Sequence, residues 1–189
     1  DVVEFSCAVS QIFIKGEHNI QNAMAVIIAA KIFNLDSEKI LKALKSFKGV
    51  EHRLELVREI EGIKFINDSK ATNVDSVVVA LKSFEEPIFL ILGGQDKGND
   101  YSMIEDLVIE KVKKIYAIGS SAEKVFNYFH SKVKTEIKKD FDDVINTALS
   151  EAREGDVVLL SPACASFDMF DNYEHRGKVF KSIINNKWK

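Results

Sequence analysis

The first fifty residues carry the apolar spacing of two helices. Apolar side chains recur at helical intervals over residues 19–31, and a second pattern of this kind covers residues 37–47. Ser37, which follows Asp36, is a suitable capping residue for the second helix. The pattern is interrupted around Gly49, and we expect a domain boundary there.

Beyond this boundary, short apolar runs alternate with helical segments. The runs have the length of β-strands and cover residues 54–60, 63–67, 88–92, 114–118, 133–137 and 157–160. The helical segments cover residues 74–84, 103–112, 122–129, 141–152 and 172–185. Such alternation is typical of an α/β fold, in which a mainly parallel sheet has right-handed crossovers and helices on both faces. We therefore predict a Rossmann-like domain over residues 50–189 and a separate partial segment over residues 1–49.

Composition and charge narrow the class of protein. The chain is 46% hydrophobic, which is sufficient for a packed core, and its 26 basic and 29 acidic residues are scattered rather than clustered. This distribution argues against a nucleic-acid partner. The apolar runs are far shorter than the roughly 20 residues that span a bilayer, so we expect no membrane segment, no signal peptide and a cytoplasmic location. Because the chain begins with Asp1 and residues 2–14 have the pattern of a strand, we expect a fragment of a longer protein.

Metal and thiol chemistry are both disfavoured. Cys7 and Cys164 form no C-x-x-C pair and have no histidine at metal-ligand spacing, so buried free thiols are expected rather than a zinc site or a nucleophile. Glu17 and His18 are adjacent, but the H-E-x-x-H pattern is missing. We therefore predict no metal ligands in this chain.

The segment after the second predicted strand is the richest in chemistry. It reads Asn67-Asp68-Ser69-Lys70-Ala71-Thr72-Asn73 and leads directly into a helix. Ligands of such sheets bind beyond the carboxyl ends of the strands, and a helix N-terminus offers free N–H groups to a phosphate or carboxylate. The alternative is that Thr72 or Asn73 only caps the helix, but capping does not account for Lys70.

Two further strand ends are candidate binding loops. Gly93 and Gly94 permit unusual backbone angles before Lys97, although a tight turn with a solvated lysine explains this spacing equally well. Neither G-x-x-x-x-G-K-[ST] nor G-x-G-x-x-G occurs in the chain. The last strand end, residues 160–168, is rich in small side chains that let backbone amides face a ligand, and Tyr173 follows one or two helical turns later.

These segments together resemble the Mur ligase family. The matching strings are Gly16-Glu17-His18-Asn19, Glu51-His52-Arg53, Asn67-Asp68-Ser69-Lys70-Ala71-Thr72-Asn73, Gly93-Gly94-Gln95-Asp96-Lys97 and Ser161-Pro162-Ala163-Cys164-Ala165-Ser166-Phe167-Asp168. They are spread over nearly the whole chain. The string D-S-K-A-T-N is similar to that of the branch of the family that adds D-glutamate.

The resemblance implies a three-domain enzyme that consists of a UDP-sugar-binding domain, a central ATPase with a P-loop and a C-terminal Rossmann-like domain. Residues 1–49 would be the end of the central domain, and residues 50–189 the C-terminal one. The family reaction would convert the carboxylate of UDP-N-acetylmuramoyl-L-alanine to an acyl phosphate with ATP, and the amine of D-glutamate would attack it. Magnesium would neutralise the phosphates, and its ligands and the P-loop would lie upstream of Asp1. The isolated chain is therefore expected to be inactive.

The resemblance also implies roles for individual residues. Lys70 would lie near the transferring phosphoryl group as the catalytic residue, and three residues would contact the nucleotide, namely Asn22, Arg53 and Asp68. The D-glutamate would be held by Thr72, Lys97, Ser166, Phe167 and Tyr173. Relatives in this branch often have leucine at position 167 and phenylalanine at position 173, so Phe167 would act through its main chain and Tyr173 through its ring.

Two other functions are compatible with the fold class. A free-standing Rossmann-like module could bind a nucleotide or an acidic metabolite without catalysis. A NAD-dependent oxidoreductase could share the fold, but the missing glycine fingerprint argues against it. Arg53 could also pair with a surface carboxylate instead of holding a phosphate.

Overall fold

A computed structural model of the protein describes residues 17–187. The chain divides into two compact units, Asp1–Val50 and Glu51–Lys189, which we describe separately. The strand predicted at residues 2–14 and the buried thiol predicted for Cys7 lie outside the described residues. Within the described range, no helix has the length and apolar character needed to cross a membrane.

The first unit contains the two predicted helices. Helix α1 spans Glu17–Ile32, helix α2 spans Ser37–Ser46, and a small apolar cluster packs between them. The cap of α2 is Asp36, whose carboxylate accepts a hydrogen bond from the backbone N–H of Lys39 at 3.1 Å. The prediction of Ser37 as the cap was wrong by one residue, because Asp36 has the extended backbone of a capping residue and Ser37 is already helical.

The second unit is built on one six-stranded sheet. The strands are β1 (Glu55–Ile60), β2 (Ile63–Asn67), β3 (Ile88–Gly93), β4 (Val112–Ile118), β5 (Thr135–Ile137) and β6 (Val157–Leu160). Their order is β1-β2-β6-β3-β4-β5, and β1 is antiparallel to β2 while the other neighbours are parallel. The carboxyl ends of β2, β6, β3 and β4 therefore lie side by side along one edge.

Helices cover both faces of this sheet. They are α3 (Val74–Lys82), α4 (Glu105–Lys111), α5 (Ala122–Phe129), α6 (Phe141–Glu151) and α7 (Tyr173–Lys187). Alternate residues of the buried strands point to opposite faces, so Leu90 belongs to the core under α3, α4 and α5, whereas Phe89 and Ile91 belong to the core under α6 and α7. The predicted α/β fold, with a mainly parallel sheet and helices on both faces, is confirmed.

Several element ends differ from the prediction. Leu54 was placed in β1, but its φ of 45° takes it out of the strand. A short 3₁₀ helix at Tyr101–Ile104 precedes α4, where one continuous helix was predicted. Val112 begins β4 instead of ending α4, and β5 begins at Thr135, two residues later than predicted. These ends depend on local backbone geometry that apolar spacing does not encode.

Candidate functional site

The segment after β2 holds a buried carboxyl group. Asp68 is 6% exposed; its Oδ1 accepts a hydrogen bond from the backbone N–H of Leu54 at 3.3 Å, and its Oδ2 accepts one from Ser161 Oγ at 2.9 Å. Burial raises the pKa of Asp68 to about 7, although these two hydrogen bonds and the positive charge of Arg53 oppose the shift. Each carboxylate oxygen accepts one bond here, so each keeps capacity for a further donor.

Lys70 and Tyr173 face each other beside this carboxyl group. The Lys70 ammonium lies 3.4 Å from the Tyr173 hydroxyl and 5.2 Å from the centre of its ring. The backbone N–H of Lys70 donates to the carbonyl of His52 at 3.1 Å, which ties this segment to the turn before β1. Arg53, Asp68, Lys70 and Tyr173 are therefore brought together from three separate parts of the sequence.

The turn before β1 is fixed by a buried histidine. His52 has a φ of 66°, and its Nδ1 accepts a hydrogen bond from Asn67 Nδ2 at 2.9 Å. The Asn67 amide is oriented by Ser69, whose N–H donates to Asn67 Oδ1 at 3.1 Å, so the ring proton of His52 lies on Nε2. Within the described residues this buried Nε2 has no hydrogen-bond partner. Sequence reasoning included His52 in a motif but assigned it no role.

The same turn brings together the side chains of Glu51, His52 and Glu55, whose ligand-type atoms lie within 4.8 Å of one another. Their arrangement does not fit a metal. The ammonium of Lys181 forms ion pairs with both carboxylates, and Nε2 of His52 carries its proton. Lys181 therefore already supplies the positive charge between these two carboxylates.

The loops after β3 and β6 are joined by backbone hydrogen bonds. Gln95 and Ala165 exchange two of them, at 2.9 and 3.2 Å. Gly93 and Gly94 both have positive φ, and a Cβ on either would lie within 2.5 Å of a backbone oxygen, that of Ile118 or that of Ala165. The glycines thus allow the two loops and β4 to approach one another closely.

The residues predicted to hold an amino acid lie along these loops. Lys97 is exposed and has no hydrogen bond or ion pair to any described residue. Ser166 is buried, and its carbonyl accepts from the backbone N–H groups of residues 169 and 170, whereas Phe167 is 65% exposed. Thr72 is half-buried in the turn before α3. Helix α3 is capped by Asn73, whose Oδ1 accepts a hydrogen bond from Ser76 N–H at 2.9 Å. Thr72 and Lys70 therefore do not cap this helix.

Asn22 stands apart from this set. It is an exposed residue of α1 and belongs to the first unit, whereas the other predicted site residues belong to the second. Its assignment to a nucleotide site therefore depends on the sequence resemblance.

Cys164 is a buried thiol, as predicted from its sequence context. Its Sγ lies 3.2 Å from Asn99 Nδ2 and 3.6 Å from Ser121 Oγ, and burial raises its pKa. A raised pKa keeps the sulfur as a thiol at neutral pH, which opposes a nucleophilic role.

Arg176 was missed by sequence reasoning. It lies on α7 one turn after Tyr173 and is buried beneath the loops that follow β2 and β6. Its position three residues from Tyr173, on the same helix face, is a signal that could have identified it.

Comparison with known proteins identifies the family of the second unit. Residues 52–164, more than half of the chain, match the family model described as Mur ligase, glutamate ligase domain. The matched range contains Arg53, Asp68, Lys70, Thr72 and Lys97.

Curated relatives extend the similarity to nearly the whole chain. A protein of Caldicellulosiruptor saccharolyticus named UDP-N-acetylmuramoylalanine--D-glutamate ligase is 47% identical over 176 residues, which is 92% of this chain. A protein of Cytophaga hutchinsonii with the same name is 49% identical over 181 residues, or 95% of this chain. The matches span only 39% and 40% of those two proteins.

Solved structures share the fold. The UDP-N-acetylmuramate-alanine ligase of Thermotoga maritima superimposes with a TM-score of 0.69 at 18% identity, over 92% of this chain and 39% of that one. A pseudomurein peptide ligase type C of Methanothermus fervidus gives a TM-score of 0.64 at 20% identity, over 91% of this chain and 36% of the other. Together with the match over residues 52–164, these findings show that the chain belongs to the Mur ligase family.

Proposed function

We propose that this chain is the C-terminal part of an ATP-dependent ligase that joins D-glutamate to UDP-N-acetylmuramoyl-L-alanine, a step in the synthesis of peptidoglycan precursors. The observation that carries the proposal is the similarity of almost the entire chain to proteins named as D-glutamate ligases. The grouping of Asp68, Lys70 and Tyr173 at the carboxyl edge of the sheet supports it, since that edge is where such folds bind ligands.

Two parts of the enzyme are represented. Residues 1–49 are the end of the central ATP-binding domain, and residues 50–189 are the C-terminal ligase domain. Large apolar side chains of α1, including Met24, Val26 and Ile28, are exposed, which supports a larger domain that covers them. The UDP-binding and ATPase domains precede this chain in the intact protein, which acts in the cytoplasm without a membrane or nucleic-acid partner.

The amino-acid pocket lies on the loops after β2, β3 and β6. D-glutamate carries two carboxylates, and the donors available to them are the hydroxyls of Thr72 and Ser166, the main chain at Phe167 and the ammonium of Lys97. Lys97 has no anionic partner among the described residues, so its charge is available to a carboxylate. The ring of Tyr173 closes one side of the pocket.

In the second unit, the nucleotide is contacted by Arg53 and Asp68. The free acceptor capacity of the Asp68 carboxylate suits a ribose hydroxyl, and the exposed Arg53 guanidinium suits a phosphate. ATP, when bound, supplies the phosphoryl group that activates the carboxylate of the UDP-sugar substrate. Lys70 acts as the catalytic residue, holding positive charge near that group while Tyr173 limits the motion of its side chain.

Among the described residues, the group of Glu51, His52 and Glu55 does not suit magnesium, because the ammonium of Lys181 already lies between its two carboxylates. The magnesium ligands and the main phosphate-binding loop belong to the upstream domain. The isolated chain is consequently inactive.

The assay is the ligation itself. The full-length protein would be incubated with UDP-N-acetylmuramoyl-L-alanine, ATP, magnesium and radiolabelled D-glutamate, and the labelled UDP product would be separated by chromatography. We expect product with D-glutamate but not with L-glutamate or L-alanine, and no product from the 189-residue chain alone. No product from the full-length protein, or preferential use of another amino acid, would refute the proposal.

A further inference from the structure

Arg176 is a buried cation whose hydrogen-bond acceptors are all neutral. The side chain is 1% exposed. Its Nε donates to Ser69 Oγ at 2.9 Å, its Nη2 donates to the carbonyl of Ser69 at 2.7 Å, and its Nη1 donates to the carbonyl of Cys164 at 3.0 Å. All three acceptors are uncharged.

Such an arrangement is costly for the fold. Removing a guanidinium from water without a hydrogen-bonded carboxylate is unfavourable. Burial lowers the pKa of Arg176 to about 10, although the charge of Asp168 opposes the shift, and the side chain stays charged at neutral pH. An apolar side chain would avoid the buried charge but would leave the Ser69 hydroxyl and the carbonyls of Ser69 and Cys164 without this donor. The position of the three acceptors points to a reason for the arginine other than stability.

The acceptors belong to two different loops of the proposed active site. Ser69 lies between Asp68 and Lys70, and Cys164 lies two residues before Ser166. Ser69 Oγ, which accepts from Arg176, in turn donates to the main-chain carbonyl of Tyr173 at 2.8 Å. One guanidinium therefore connects the loop after β2, the loop after β6 and the first turn of α7.

The planar guanidinium is well suited to this task. Its donors have fixed directions, so three bonds from Nε, Nη1 and Nη2 define both the distance and the angle between the two loops. A lysine at this position would keep the charge but would present one point donor group instead of a rigid fork. Gly94 contributes to this fit because it has no Cβ. A Cβ at this position would lie 3.3 Å from Nη1 of Arg176.

We propose that Arg176 is a positioning residue that sets the spacing between the catalytic Lys70 and the D-glutamate pocket at Ser166. It does so through Ser69 and Cys164 and does not touch either substrate. This inference rests on the proposed ligase function. It adds to that function a residue outside the segment matched by the family model.

The test compares charge with geometry in the full-length protein. Arg176→Met removes both the charge and the hydrogen bonds, Arg176→Lys keeps the charge alone, and Ser69→Ala removes one acceptor together with its contact to Tyr173. Arg153→Met is the matched control, because Arg153 is exposed at the opposite edge of the sheet, before β6. For each variant, kcat and the KM for D-glutamate and for ATP would be measured at a temperature where thermal unfolding shows it to be folded.

A positioning role predicts that Arg176→Met and Arg176→Lys both raise the KM for D-glutamate by roughly tenfold or more and lower kcat, while Arg153→Met changes neither. Ser69→Ala should shift KM in the same direction, and its effect should largely disappear when it is combined with Arg176→Lys. A purely structural role would lower the active fraction and leave KM unchanged, and a purely electrostatic role would be rescued by lysine.

An unchanged KM or a rescue by lysine would overturn the inference. So would a double variant in which the KM changes of Ser69→Ala and Arg176→Lys simply multiply. The wild-type protein is assayed first. If the wild type shows no turnover that depends on D-glutamate, the ligase proposal itself fails. If the wild type is active and the Arg176 variants have a normal KM, only the inference about Arg176 fails.

Discussion

At the scale of single residues, Asp68 is a buried carboxyl group whose ionisation lowers the stability of the fold. Burial raises its pKa from 3.8 to about 7, so the folded protein binds a proton more tightly than the unfolded chain between these pH values. The unfolding free energy therefore falls as the pH rises through this window, and the penalty is complete above about pH 7. A carboxylate that is needed for a ribose hydroxyl would explain why the cost is tolerated.

Asp68→Asn should relieve this penalty. An amide can accept from Leu54 N–H and donate to Ser161 Oγ without carrying a charge. We expect the variant to gain stability relative to wild type as pH increases from 4 to 8, on the order of 2–4 kcal/mol, measured by urea unfolding across that range. The ligase activity of full-length Asp68→Asn should be lower than that of the wild type.

Asp142→Asn serves as the control, because Asp142 is exposed and should show no such gain. If the stability difference between Asp68→Asn and wild type were the same at pH 4 and pH 8, the raised pKa would be refuted.

Lys97→Ala tests the amino-acid pocket. A substrate carboxylate that loses its charged partner is held less tightly, so the KM for D-glutamate should rise by roughly tenfold or more, or kcat should fall severely. The KM for ATP should change much less. The matched control is Lys82→Ala, because Lys82 is an exposed lysine at the end of α3. Near-normal kinetics in Lys97→Ala would show that Lys97 does not hold the substrate carboxylate.

At the scale of elements, α7 docks against the turn before β1 through a glycine. A Cβ on Gly177 would lie 2.2 Å from Nδ1 of His52, which itself accepts from Asn67. At an exposed helix position, Gly→Ala raises the unfolding free energy by about 1 kcal/mol. At Gly177 the close contact with His52 should lower it instead.

We therefore expect Gly177→Ala to lower the unfolding free energy by about 1–3 kcal/mol in urea titrations. In a His52→Ala background the closest remaining contact is Asn67 Nδ2, 3.1 Å from the added Cβ, and the same change should destabilise much less. Equal destabilisation in both backgrounds would show that the His52 ring is not the obstacle.

A second contact between elements is the buried ammonium of Lys114, which joins β4 to β5 and α6. Burial alone lowers its pKa, but hydrogen bonds to Glu136 at 2.6 Å and to Glu151 at 2.7 and 2.8 Å raise it overall. Lys114→Met would remove the cation that the two carboxylates share and would leave each with one more distant partner, Lys138 at 3.3 Å for Glu136 and Lys134 at 3.5 Å for Glu151.

Because Glu136 and Glu151 are partly exposed and keep these partners, the expected loss for Lys114→Met is about 1–3 kcal/mol in the unfolding free energy. Adding Glu151→Gln to Lys114→Met should restore part of it, because one of the two facing charges is removed. A double variant no more stable than Lys114→Met would show that repulsion between the carboxylates contributes little.

Much of this architecture could be predicted from the sequence. The apolar run of β3 and the periodic apolar face of α6 follow from local spacing, and the meeting of the loops after β3 and β6 at one edge follows from the geometry of parallel sheets. The bonds of Arg176 to Ser69 could not be predicted, because the two residues are 107 positions apart and meet only through the fold. The positive φ of His52 and Leu54 likewise depends on tertiary contacts.

At the scale of the whole molecule, the chain spans about 39% of the length of a relative it closely matches. Its described residues include candidate donors for an amino acid, and the group of Glu51, His52 and Glu55 already has the Lys181 ammonium between its two carboxylates. In the proposed ligase, the present chain would contribute the amino-acid pocket and the residues that hold it in place, and the remaining length of such relatives would contribute the other domains.

The most direct test of this assignment is a crystal structure of the full-length protein with ADP and D-glutamate. We expect electron density for D-glutamate between the loops after β3 and β6, with one carboxylate on the Lys97 ammonium and with Ser166 and Tyr173 beside it. Density for D-glutamate at another site, with Lys97 still in solvent, would contradict the central claim.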